Sequence, residues 1–157
     1  MKTTKVRIHR LALTGGPCGG KTKLAKFITR KAKKAGIHIE IIPEAATLLM
    51  DRGLSPHGGE ENLLNFQRAV LRETILREGL SDQALRGSGG SRLLRGSDRG
   101  KPDIRAYVSE EHYRMLLKEQ GIAHPVYARD RDYDAVIHMR TAALGAEEHY
   151  SNKSNKQ

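Results

Sequence analysis

The stretch LTGGPCGGKTKLAKF, residues 13–27, decides the fold class. It places four glycines and a proline within six residues, directly before a basic segment with helical periodicity. The preceding residues 6–13, VRIHRLAL, have the apolar pattern of a strand that enters a core. From Lys21 onward, apolar residues recur on one helical face, which includes Phe27, until Gly36 ends the pattern. The sequence therefore predicts a strand, a glycine-rich turn and a helix in succession.

This turn matches the pattern G-x-x-x-x-G-K-[ST], whose strand–turn–helix context is typical of a phosphate-binding loop. Glycines allow a concave row of backbone N–H groups to approach an anion, and the helix N-terminus adds partial positive charge. Lys21 adds a full charge, and the Thr22 hydroxyl is predicted to bind Mg²⁺. A glycine-rich turn that binds nothing is the alternative, which the complete pattern disfavours. The predicted nucleotide-binding residues are Gly15, Gly16, Pro17, Cys18, Gly19, Gly20, Lys21 and Thr22.

The rest of the chain continues the alternation of strands and helices. Residues 37–42 read as a second strand, so the β-α-β order predicts an α/β fold with a central parallel sheet in three layers. After a loop at residues 54–59, an amphipathic helix of about five turns is marked by Leu63, Leu64, Phe66, Val70, Leu71 and Ile75. One helix or two short ones are predicted over residues 103–120, with Ser109 as an N-cap, and another strand over residues 133–139. The composition of residues 86–100, RGSGGSRLLRGSDRG, predicts a flexible loop, in which only Leu93 and Leu94 indicate a buried strand.

Four segments carry a resemblance to a known family: LTGGPCGGKT, PEAATLL, DRG and YDAVIHMRTAALGAEEHY. They look like the AAA-type ATP-binding domain of the translocation-defect (TRPL translocation) family, which is itself similar to ribosylnicotinamide kinases and small nucleotide kinases. The resemblance covers about residues 6–150. It implies that the glycine turn binds nucleotide phosphates and that Asp98 of DRG is the Walker B acid, which holds Mg²⁺ opposite Thr22.

The resemblance also suggests roles on the acceptor side. Glu44 follows the second strand, where related kinases keep an acid, and is either a general base or only the N-cap of a helix. Asp98 alone could equally be a turn residue. The predicted catalytic residues are thus Lys21, Asp98 and Glu44, with Thr22 and Asp98 as the metal ligands. The arginines that could neutralise transferred phosphate, each of which could also be a solvated surface residue, are Arg99, Arg129, Arg131 and Arg140.

Two features depart from the family pattern. Residues 92–97, RLLRGS, place Arg, Gly and Ser where a central parallel strand should be continuously apolar. The chain also ends soon after the GAE-x-x-Y motif, where relatives continue with a basic lid, further sheet and helix. We therefore expect one nucleotide-binding domain over residues 1–150, with its lid and last strand missing, followed by a polar tail at residues 151–157.

Charge and composition narrow the partner classes. Residues 1–39 carry 11 Lys and Arg and no acid, whereas residues 40–157 carry 17 Lys and Arg against 18 Asp and Glu. Such a localised positive field indicates an anionic partner. Nucleic acid is disfavoured because few aromatic residues are present to stack on bases. A single cysteine, the absence of a secretory leader and the absence of a long apolar run predict a cytoplasmic protein with no membrane span.

Together these observations predict a protein that binds Mg²⁺ with ATP or GTP and acts as an NTPase or a kinase-type phosphotransferase on a small-molecule acceptor. The alternative is a nucleotide-responsive binding module with negligible turnover, which engages a partner or an acidic surface through its basic N-terminal helix.

Overall fold

The computed structural model describes residues 6–16, 19–126, 128 and 131–140. Outside these residues lie Pro17, Cys18, Arg129, the GAE-x-x-Y motif and the polar tail. In chain order the elements are β1 (Ile8–Gly15), α1 (Lys21–Lys34), β2 (His38–Ile42), α2 (Ala45–Asp51), α3 (Glu60–Gly87), β3 (Leu93–Asp98), a 3-10 helix (Lys101–Ala106), α4 (Glu110–Glu119) and β4 (Ala135–Met139).

The strands form one parallel sheet in the order β2-β3-β1-β4. In this register Leu13 of β1 lies beside Asp98 of β3, and Gly15 of β1 lies beside Met139 of β4. The carboxyl ends of the strands therefore meet at one edge of the sheet, next to the glycine turn. The α/β class and the parallel sheet predicted from the sequence are confirmed.

Helices cover both faces of this sheet. Successive strand residues point to opposite faces, so Leu11 and Leu13 pack with Ala25 of α1, whereas Ile8 and Leu93 pack with Leu85 of α3. A third apolar cluster, the largest, joins α2, α3, the 3-10 helix and α4. The sheet is thus the middle of three layers.

The segment predicted as a flexible loop, residues 86–100, contains the central strand β3, so that prediction was wrong. Arg95 is only 3% exposed, and its guanidinium donates to Asp82 of α3 at 2.8 Å. Ser97 is also buried and donates to Glu78 of α3 at 3.1 Å. These polar side chains can lie beneath a helix because carboxylates on the helix pair with them.

Other differences concern the helices. α3 is 28 residues long, much longer than the predicted five turns, because Glu78, Ser81 and Asp82 continue its buried face with polar side chains. Phe27 was expected on the buried face of α1 but is 47% exposed. The Ser109 cap is confirmed, since its hydroxyl accepts from His112 N–H at 3.1 Å. No helix in the described part of the chain has both the length and the apolar character to cross a bilayer.

Candidate functional site

The glycine turn joins β1 to α1, and the Lys21 side chain folds back to bond its carbonyl oxygens. Gly20 is the N-cap of α1 in the left-handed conformation, with φ of 79°, and the helix begins at Lys21. The Lys21 ammonium donates to the carbonyl oxygens of Gly15 at 3.1 Å and Gly16 at 3.0 Å. It therefore lies over the turn, close to the N-terminal N–H groups of α1, which carry partial positive charge.

One glycine of the turn is required by the sheet itself, and a second lies close to the end of the sheet. A Cβ at Gly15, where φ is +130°, would lie 2.1 Å from the carbonyl oxygen of Met139 in β4. A Cβ at Gly19 would lie 3.3 Å from the carbonyl oxygen of Arg140. The sequence pattern assigned these glycines to phosphate approach alone, whereas the structure shows that they also allow the turn to pack against the end of β4.

The two predicted magnesium ligands line the same cavity. Thr22, at the start of α1, and Asp98, at the end of β3, both border a cavity of about 780 Å³ between α1 and β2. Oδ1 of Asp98 is buried, and no hydrogen-bond partner reaches it among the residues that the structure describes. Burial raises the pKa of this carboxyl, and the Glu44 carboxylate raises it further. A hydroxyl and an unpaired carboxylate oxygen are the hard ligands that Mg²⁺ prefers, so these residues fit the ion.

We expect Asp98→Asn to stabilise the fold while it weakens Mg²⁺-dependent nucleotide binding. Because the folded-state pKa lies above the ordinary value of 3.8, folding takes up protons between these two values, and stability falls as pH rises through that window. The advantage of Asn should be complete above the raised pKa and vanish near pH 3.8. Thermal unfolding should show a rise of about 2–4 °C at neutral pH, which corresponds to about 1 kcal/mol.

Asp134→Asn is the matched control for this measurement. Burial acts to raise the pKa of Asp134, but hydrogen bonds from the Arg10 N–H and the Arg7 guanidinium hold it below the ordinary value. The carboxylate is therefore favourable there, and its removal should lower the melting temperature. The melting temperature should rise for Asp98→Asn and fall for Asp134→Asn; a melting temperature for Asp98→Asn at or below that of the wild type would contradict this description of Asp98.

Glu44 occupies the N-cap position of α2, but its side chain does not cap the helix. Instead the carboxylate forms an ion pair with Arg99 and accepts from the Thr47 hydroxyl at 3.1 Å. Of the two roles left open by the sequence, simple capping is therefore not what the side chain does.

Arg99 is fixed at the end of β3 in an uncommon backbone conformation, with φ of 66°. Its N–H donates to the Leu13 carbonyl at 2.8 Å, and its guanidinium lies between Glu44 and Asp103, with Nη1 3.8 Å from Asp103 Oδ1. Asp103 also accepts from the Gly100 N–H at 2.7 Å. The charge of Arg99 is thus already shared by two carboxylates. The other described candidate arginines, Arg131 and Arg140, are exposed.

Asp98 also borders a second cavity, of about 370 Å³. Its polar end contains Glu44, Asp98, Arg99 and Asp103, and its walls come from α2, α3 and the 3-10 helix. The apolar residues of the walls include Phe66, Val70, Ile104 and Tyr107. Sequence reasoning missed Asp103 and these wall residues, because nothing in their spacing marks a shared cavity before the chain is folded.

Comparison with known families agrees with this geometry. A family described as AAA domain matches residues 10–154, which is most of the chain and includes both the glycine turn and Asp98. The chain belongs to the AAA domain family. In this AAA domain the glycine turn, Lys21 and Asp98 therefore all lie at the edge of the sheet where the strands have their carboxyl ends.

Comparison with solved structures gave more distant similarity. A cysteine-to-alanine mutant of the Mycobacterium tuberculosis APS kinase CysC is 19% identical, covers 90% of this chain and 94% of its own, and has a TM-score of 0.42. The protein APE1195 is 16% identical, with 92% and 91% covered and a TM-score of 0.35. Both scores are below 0.5, so the fold assignment depends on the sheet order and the family match. A comparison with curated proteins gave no match.

Proposed function

We propose that this AAA domain binds a magnesium complex of ATP or GTP at the glycine turn and transfers the outer phosphoryl group to a small acceptor or to water. The observation that carries the proposal is the buried, unpaired oxygen of Asp98, in one cavity with Thr22 and near the Lys21 ammonium. An unpaired buried carboxylate is costly to the fold, so its presence beside a phosphate-binding turn favours a functional role.

Each residue then has a distinct task. Lys21 exchanges its bonds to the turn carbonyls for bonds to the outer phosphates, and the N–H groups of the turn hold the other phosphate oxygens. Thr22 and Asp98 would hold the ion, and a bound ion would supply positive charge against the negative charge of the phosphoryl group. Lys21 and Thr22 lie in the first turn of α1, and Asp98 is the last residue of β3.

The second cavity suits the phosphoryl acceptor, because it shares Asp98 with the metal cavity. Apart from Asp98, which would hold the ion, two carboxylates and one guanidinium line its polar end, and that guanidinium is already paired with both of them. An anionic acceptor would therefore be repelled, and a neutral or cationic alcohol with an apolar body is favoured. Glu44 borders this cavity and would orient the acceptor hydroxyl.

Replacement of the turn lysine tests the nucleotide site. We expect Lys21→Ala to weaken binding of Mg-ATP and Mg-GTP at least tenfold, about 1.4 kcal/mol, because it deletes a full charge at the phosphates. Isothermal titration calorimetry of both nucleotides measures the change, and the tighter of the two identifies the preferred base.

Lys23→Ala is the control, because Lys23 lies on the exposed side of the same helix and should leave the affinity within twofold. Equal affinities of the Lys21 and Lys23 variants would refute the assignment. Glu44→Gln separates an enzyme from a binding module: in an enzyme the affinity is kept and turnover falls, whereas a module shows no turnover to lose.

The finer features expected from the sequence stay predictions. They are membership of the translocation-defect family, a single nucleotide-binding domain over residues 1–150 and a cytoplasmic location.

A further inference from the structure

One buried polar side chain in the second cavity, here called the acceptor cavity, has no partner. Gln67 lies on α3 and lines this cavity together with Phe66 and Val70. It is only 4% exposed. Within the part of the chain that the structure describes, its amide forms no hydrogen bond, and yet the amide atoms are not fully enclosed. The amide therefore reaches the cavity.

The other buried polar side chains among the described residues all have partners. Thr74, which lines the same cavity, donates to the Val70 carbonyl at 2.8 Å, and Ser81 donates to Glu40 at 2.8 Å. The remaining ones bond one another beneath α3; they are Glu78, Asp82, Arg95, Ser97 and Lys101. A buried amide without a hydrogen bond destabilises the fold, so this exception indicates a partner that comes from outside the chain.

The chemistry of a carboxamide limits what that partner can be. Gln67 offers an acceptor oxygen and two N–H donors side by side in one plane, so its full complement is an edge that also has a donor next to an acceptor. A ketone or an ether leaves the Gln67 oxygen unpaired. A carboxylate does so too, and it would also be repelled by the carboxylates of Glu44 and Asp103 in the same cavity. An amide-like edge satisfies both sides of Gln67.

The walls of the cavity indicate the body of the ligand. Phe66 and Tyr107 contribute aromatic rings, and Val70 and Ile104 contribute aliphatic side chains. The volume of about 370 Å³ is at the lower end of ordinary ligand sites, so it suits a single planar ring with short substituents.

We infer that Gln67 is a specificity-determining residue of the acceptor cavity, and that its ligand is a small alcohol with a planar apolar body and an amide-like edge. The inference rests on the proposed function for the role of this ligand as phosphoryl acceptor, whereas binding of the ligand requires no nucleotide. A site with a buried amide rejects an analogue that lacks the matching groups, because the amide is then left unpaired.

Two probes of equal size test the inference with the full chain: p-(hydroxyethyl)benzamide and the matching methyl ketone, p-(hydroxyethyl)acetophenone. Ligand-observed NMR titration without nucleotide measures both affinities. Wild-type protein should bind the amide about tenfold more tightly, because the ketone cannot donate to the Gln67 oxygen. In Gln67→Met, a change that keeps the length of the side chain, this preference should disappear or reverse.

Gln83→Met is the matched control, since Gln83 is an exposed residue of the same helix and should leave the preference unchanged. Gln67→Met should melt no lower than the wild type, because the amide has no partner in the protein to lose. A lower melting temperature would overturn the inference.

The wild-type comparison needs no variant to fold. Equal affinities of the two probes, no binding of the amide probe at millimolar concentration, or a preference that survives in Gln67→Met would each overturn the inference. Because nucleotide is absent, failure of Mg-ATP to bind at Lys21 would refute the proposed function and leave this result unchanged.

Discussion

Glu78→Ala should lower the free energy of unfolding by about 3–5 kcal/mol, because it breaks a buried ion cluster beneath α3. Glu78 is only 3% exposed and contacts the Lys101 ammonium, while the Tyr133 hydroxyl donates to it at 2.6 Å. Its Oε2 also lies 3.5 Å from the Arg95 guanidinium. The substitution leaves two buried cations with one carboxylate each. Urea unfolding measures the loss as a lower midpoint at an unchanged slope.

Glu110→Ala provides the matched control, since Glu110 forms its ion pairs with Arg105 and Arg114 at the exposed start of α4. Such surface pairs contribute about 0.2–1 kcal/mol. Glu78→Gln keeps an oxygen that can accept from Tyr133 and removes only the charge, so it should lie between the two. If Glu78→Ala and Glu110→Ala unfold at the same urea concentration, the cluster does not hold α3 to the sheet.

Gly15→Ala should be the most damaging substitution in the glycine turn, with a loss of at least about 2 kcal/mol. The new Cβ would approach the Met139 carbonyl oxygen to 2.1 Å, and φ of +130° is unfavourable for any residue with a side chain. The turn and the end of β4 must then move apart. Thermal unfolding should show the lower melting temperature in the absence of nucleotide.

Gly36→Ala separates the two causes. Gly36 also has a positive φ, of +68°, but a Cβ there meets nothing within 4 Å. This control therefore reports the backbone strain alone, at about 1–2 kcal/mol. A loss at Gly15 no greater than the loss at Gly36 would show that the contact with Met139 can relax without cost, and would contradict the packing of the turn against β4.

Hydrophobic periodicity was sufficient to predict β1, α1 and β2, the β-α-β order predicted the parallel sheet, and the N-cap preference of serine predicted the start of α4. It failed for β3 and the second half of α3, and both failures have one cause. Arg95 and Ser97 break the apolar run of β3, and Glu78 and Asp82 break the apolar face of α3, yet these residues are partners of one another. The hydrophobic pattern of one segment, considered alone, cannot reveal that its polar residues pair with those of another segment. Glu78 and Asp82 are four residues apart on α3, and their partners Ser97 and Arg95 are two residues apart on β3. This match between the helix spacing and the strand spacing is the signal that a sequence analysis could have used.

The nucleotide side of the candidate site was more predictable from the sequence than the acceptor cavity. The turn, Lys21 and Thr22 are contiguous in sequence and form a complete pattern. Asp98 was identified only through the family resemblance, because a single DRG segment carries no spacing information. The polar end of the acceptor cavity was unpredictable: Asp103 reaches it only because the 3-10 helix follows β3 and places this carboxylate beside Arg99.

The way α3 is attached to the sheet also affects the response of the protein to temperature. Hydrocarbon that becomes exposed on unfolding raises the heat capacity, whereas polar groups lower it. Among the described residues, the apolar cluster between α3 and the sheet consists of Ile8, Leu85 and Leu93. Charged side chains that form ion pairs occupy much of the remaining interface. The heat-capacity increment from this layer is therefore small. The curve of unfolding free energy against temperature should accordingly be flatter than for a domain of equal length with an apolar layer there.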